Sequence, residues 1–172
     1  MSKARGRERR GKRENAESKR TLAGSFYWSG SPWFEHLPTT MPSENPGPGS
    51  IAPLLFVRGG ARAVAFYQAA FGAVEAYRVE DPSGSVVARL ELNRAEFWVS
   101  DESTTHGNFS PETLNGGTVR MILTVPDPDA AFARAISAGA REICAVSEQY
   151  GWRLGQVVDP FGHRWEIGRP LA

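Results

Sequence analysis

The sequence predicts an α+β fold of two tandem βαβββ modules, and three observations predict it. From Ile51 onward, strand-length apolar runs and a helical pattern follow one another in the order strand, helix, three strands. From Val119 the same order begins again. The two passages also match locally: VRGGARAVAFYQAAFGA runs against VPDPDAAFARAISAGA, with one residue fewer in the second helix. A repeat of roughly 60 residues points to duplication rather than to two unrelated domains.

Each element has its own justification. IAPLLFV (51–57) is an apolar run of buried-strand length. In ARAVAFYQAAFG, residues Ala63, Val64, Tyr67, Ala70 and Phe71 fall at helical spacing, and Gly72 supplies a C-terminal cap. Strand-like AVEAYRVE follows, then a DPSG turn, SVVARLEL, a short connection at Asn93 and Arg94, and AEFWVS. In the second passage VRMILTV (119–125) is a strand, Asp127 an N-cap and Pro128 a first helical residue. Phe132, Ala135 and Ile136 continue that helix and Gly139 ends it. REICAVS, WRLGQVV and HRWEIG supply three more strands, the last two joined by Asp159–Gly162 as a type I turn. The expected organisation is a basic tail with a Pro/Gly linker over 1–49, a first module over 50–103, a polar linker over 104–116 and a second module over 117–170.

Charge is unevenly spread. Residues 1–20 hold nine Lys and Arg against three Glu, whereas residues 21–172 hold eleven Arg, no Lys and sixteen acids. The folded part therefore does not attract a polyanion as a whole, and nucleic acid is a partner only through residues 1–20. That arm is too poor in apolar residues to fold by itself, and translation from Met41 would leave it out. No apolar run approaches the roughly 18 residues of a spanning helix, and the basic start lacks a signal-peptide core, so a soluble cytoplasmic protein is expected. Cys144 is alone, which excludes an internal disulfide; its strand-like setting, REICAV, predicts a buried and inert thiol.

The doubled βαβββ pattern, FYQAAFGA after the first strand and VVDPFGHRWEIG at the end resemble the vicinal oxygen chelate superfamily. The stretches RVEDPSGSVVARLEL, SPETLNGG and YGWRLGQVVDPFGHRW are most similar to its glyoxalase/bleomycin-resistance-like branch. The resemblance covers about residues 51–169. It implies an open, U-shaped mixed sheet, with metal ligands, in the members that use them, on the first and last strand of each module.

Those positions fall here on Ala52, Trp98, Arg120 and Glu166. Only Glu166 has the lone pairs to ligate a divalent cation, and the family's sites need three or four such groups, so no metal and no cofactor is expected. His36 and His106 lie in the tail and the polar linker. His163 sits at odd spacing from Glu166, which predicts an exposed or hydrogen-bonded ring rather than a ligand. The family's strand order would make Arg120 and Glu166 neighbours, either receiving an anionic or hydroxylated ligand or closing the cavity floor as a salt bridge. Alternation adds Leu54, Phe56, Ile122, Thr124 and Ser100 to the same cavity, with Arg89 and Glu91 if Leu90 and Leu92 face the helix. Phe56 is better read as core; Trp98 fits core and pocket wall equally. The expected function is metal-independent binding of a small molecule, of the drug-sequestering kind, by a homodimer whose pocket involves both chains. The alternative is an enzyme: a metal-dependent lyase, isomerase or dioxygenase with ligands from elsewhere in the chain or, subordinate to it, a metal-free acid/base catalyst, with Glu166 as the catalytic residue.

Overall fold

A computed structural model describes residues 49–171; the expectations for the basic arm, the aromatic clusters, His36 and Met41 lie outside them. The first module comprises β1 (Leu54–Val57), α1 (Gly60–Phe71), β2 (Val74–Glu80), β3 (Val86–Leu92) and β4 (Ala95–Asp101). A short connecting helix, α2 (Pro111–Leu114), precedes the second module of β5 (Arg120–Thr124), α3 (Pro128–Ser137), β6 (Arg141–Gln149), β7 (Trp152–Val158) and β8 (Arg164–Pro170).

Both modules order their strands alike, β1-β4-β3-β2 and β5-β8-β7-β6, so the expected open mixed sheet comes as two four-stranded sheets. In each, the first strand runs parallel to the last and the other pairings are antiparallel. The period of two then sorts the side chains. Leu55, Val57, Ala88, Leu90 and Val99 of one sheet and Leu123, Val157, Trp165 and Ile167 of the other are buried on the helix side. Helices α1 and α3 pack on each other and on these faces. Trp165 of the second sheet reaches Phe71 of α1 at 4.6 Å between ring centroids and Phe97 of the first sheet at 5.8 Å. One core therefore lies between the sheets, and their opposite faces are left open and point outward.

Three local expectations are corrected. The first strand starts at Leu54, not Ile51: the Pro53 carbonyl accepts from the Trp98 amide at 2.8 Å, but proline has no N–H to extend the ladder, and Ala52 lies outside the strand. The residues read as a plain polar linker instead hold a 3-10 turn at Thr104–His106 and α2, capped by the Ser110 hydroxyl. Cys144 is exposed, because β6 is an edge strand with two register irregularities and little packed over it.

Candidate functional site

Module 2 presents β5, β8 and β7 side by side on its open face. Ile122 is opposite Glu166, and Glu166 opposite Gln156; in the next row Thr124 is opposite Gly168, and Gly168 opposite Leu154. From the row before, Arg120 reaches across to Glu166, Nη1 to Oε1 at 2.5 Å. Gln156 Nε2 donates to the same oxygen at 3.1 Å. The pair is not sealed in, with the Arg120 side chain 47% and the Glu166 side chain 21% exposed. A cavity of about 290 Å³ opens beside it, lined by Ile122, Trp152, Leu154, Glu166 and Gly168.

Module 1 presents a different open face. Leu54 and Arg89 flank Trp98 in register, and Phe56 is opposite Ser100. Tyr77 meets Trp98 edge-on at 5.9 Å between centroids. Phe56 is half-buried on this face rather than part of the core. Arg89 lies 3.4 Å from Glu91 and 3.7 Å from Glu96, while its Nε is buried without a partner.

The structure thus brings Arg120, Glu166 and Ile122 together, and separately Trp98, Leu54, Phe56 and Arg89. Within one chain it does not join the two groups, because the shared core turns the open faces away from each other. Thr124 is exposed beside the first group, and Ala52 belongs to neither sheet. Gln156, Trp152 and Leu154 were missed by the sequence reading, although alternation along WRLGQVV sets them on the face opposite Val157.

The donor set around Glu166 does not fit a divalent cation. One carboxylate oxygen is already shared by a guanidinium and an amide N–H, and Arg120 places positive charge where a cation would sit. His163 is turned elsewhere: its Nε2 lies 3.0 Å from the Phe56 carbonyl oxygen, and its amide donates to Asp159. Among the described residues no group of three His, Cys, Asp or Glu is arranged to hold a metal.

The framework under these faces rests on carboxylates outside the predicted set. Asp159 is buried and accepts from Tyr67 Oη at 2.7 Å, Trp165 Nε1 at 3.0 Å, and the Phe161 and His163 amides. It thereby ties α1 of module 1 to β8 of module 2. Burial, then the charge and hydrogen bond of Asp159, push the Tyr67 phenol well above its ordinary pKa. Gly162 closes the Asp159 turn at φ 89°, a conformation that a side chain rarely adopts.

These features match known proteins. A model of the glyoxalase-like domain matches residues 55–168. An uncharacterized protein of Mycobacterium bovis is 39% identical over 127 residues, which is 71% of this chain and 84% of that one. The X-ray structure of a gene product from Arabidopsis thaliana is 32% identical, with a TM-score of 0.57 over 69% of this chain and 96% of that one. TnmS3, described as an antibiotic binding protein from Streptomyces sp. CB03234, is similar in fold, with 20% identity and a TM-score of 0.51 over 71% of this chain and 97% of that one.

Proposed function

The chain belongs to the glyoxalase-like domain family, and from that membership we propose that it is a metal-independent binding protein for small molecules, acting as a homodimer. In the dimer, the Trp98 face of one protomer meets the Arg120–Glu166 face of its partner to make one pocket, so each dimer has two. The observation that carries this reading is the division of ligand-type residues between two outward faces. One face supplies aromatic surface from Trp98, Tyr77 and Phe56, and the other supplies a charged pair beside an apolar recess. Mostly apolar walls with a few convergent polar groups are what such a pocket requires.

Support for the second chain comes from the edges. Strands β1 and β5 end their sheets, and their open-face residues Leu54 and Ile122 are 41% and 67% exposed. Unpaired edges with apolar surface favour association. The pocket would stack an aromatic ligand on Trp98 and hold its acidic or hydroxyl group at Arg120 by a charge-assisted hydrogen bond. TnmS3 is an example of this fold in an antibiotic binding protein, and we extend that role, sequestration of a drug-like molecule without altering it, to this chain. A location in the cytoplasm accords with it, and no helix among the described residues is long and apolar enough to cross a membrane.

Mixed dimers test the reading. Ligands from a panel of aromatic antibiotics and metabolites are expected to bind the wild type unaltered, with or without chelator, and to be lost from Trp98→Phe and Glu166→Gln homodimers. A heterodimer with Trp98→Phe in one protomer and Glu166→Gln in its partner regains one intact pocket, hence half the stoichiometry. If both substitutions in a single protomer restore binding instead, the pocket is made within one chain. Turnover of a panel compound abolished by Glu166→Gln would make the protein an enzyme.

A further inference from the structure

The sheet of module 2 carries a second feature, one row below the Arg120–Glu166 pair. Arg120 is the register partner of Arg164, Arg164 of Val158, and Val158 of Arg141. A single line across all four strands therefore holds three arginines in four places. Like charges set directly opposite each other destabilise a sheet. The background makes the cluster less expected still, since residues 49–171 have eleven Arg against fourteen Asp and Glu. Among the described residues, Arg120 has Glu166 for a partner, while Arg141 and Arg164 form no ion pair.

These three side chains line one cleft of about 540 Å³. Its opposite wall is the α2 segment and the Asn115–Val119 turn, which add the Thr118 hydroxyl, and its only acid is Glu112. The lining thus bears two more positive than negative charges. A concave site with a net charge of one sign focuses field on its contents. All three cations are arginine, whose planar fork fits an oxyanion with two parallel hydrogen bonds. With strands about 4.8 Å apart, Arg120 and Arg164 stand close enough to bracket one phosphoryl group, and Arg141, two strands further on, suits a second.

We propose that this cleft binds the phosphoryl groups of a small phosphorylated molecule. It goes beyond the pocket proposed above, because Arg141 and Arg164, which that pocket does not use, carry it.

The experiment is calorimetric titration of the full chain with inorganic phosphate and pyrophosphate at low salt. The basic residues 1–20 also attract anions, so the informative quantity is the difference between the wild type and variants that keep this arm. Arg141→Met and Arg164→Met are expected to weaken pyrophosphate at least tenfold each, and Arg164→Lys to recover only part of the loss. Phosphate should bind more tightly as pH rises from about 5.5 to about 8.5, since its second ionisation near neutral pH adds charge while arginine does not titrate. Equal affinity in the wild type and both methionine variants overturns the proposal. So does malonate binding as tightly as pyrophosphate, or conversion of the dimer to monomers by Arg164→Met, which would assign the row to an acid of a second copy. Failure of the heterodimer to regain half the aromatic-ligand stoichiometry, with pyrophosphate binding intact, refutes the two-chain pocket alone.

Discussion

Where module 1 begins its helix it has Gly59, and at the matching place module 2 has Asp127. Asp127 caps α3 from within, its carboxylate accepting the Ala130 amide at 3.0 Å, with Pro128 at the first helical position. Gly59 has no side chain to offer and adopts φ 91°. The cap of α1 arrives from the far end of β4, where Asp101 accepts the Gly59 and Gly60 amides at 2.9 Å and the Val86 amide at 2.8 Å. The residue of β8 matching Asp101 is Arg169, which has no acceptor to give. One duplicated unit thus satisfies the same orphan amides locally in one copy and through tertiary structure in the other. A local cap survives changes elsewhere in the chain; a remote one makes helix, strand and hairpin depend on each other. Gly60 shows the tightness of that dependence, since a Cβ there would lie 2.6 Å from Asp101 Oδ2.

The largest test of this contrast lies between the modules. Asp159→Ala strands four donors from both halves and should destabilise the protein by roughly 3–5 kcal/mol in urea unfolding. A loss below about 1 kcal/mol would mean that the modules do not share this clamp. Next, Asp101→Ala leaves three amides without an acceptor and should cost about 2–4 kcal/mol. Asp127→Ala, which removes an ordinary N-cap, should cost about 1 kcal/mol. Equal losses would break the distinction between remote and local capping.

Acid pH sharpens it further. Glu102, next to Asp101, accepts from Thr113 Oγ1, the Ser110 amide and Arg58 Nε, joining α2 to module 1. Burial raises its pKa, but hydrogen bonds from Thr113, Ser110 and Arg58 outweigh that and hold it at about 2, below the ordinary 4.5. Because the folded value is depressed, the stabilisation is complete above pH 4.5, declines as pH falls and is gone below about 2. Melting temperatures of Glu102→Gln should therefore fall less between these values than those of the wild type; parallel curves would exclude Glu102 as the source. The smallest effect is expected at Arg120 and Glu166. With Arg120 47% exposed, a double-mutant cycle of Arg120→Met and Glu166→Gln should give a coupling of about 0.5–1 kcal/mol, and additivity would show that the pair is not held in solution.

Sequence alone determined the two long helices, the eight strands, their repetition and the alternation of faces along most strands, because alternation and helical spacing are written in neighbouring residues; α2, the exposure of Cys144 and the open-face place of Phe56 were not written there. It also led to Arg120 beside Glu166, once the strand order implied by the family resemblance set β5 next to β8. Asp127 was legible as a cap because its partner amide is three residues away. Asp101 and Asp159 were not, because their partners lie as far off as Gly59 and Tyr67, and only folding measures those distances. For the same reason the arginine row was hidden: Arg120, Arg141 and Arg164 are spread along the chain and meet only through register. The separation of Trp98 from Glu166 was decided by tertiary structure as well. Periodicity says which residues share a face, but only the packing of α1 against α3 determines that the two open faces look away from each other.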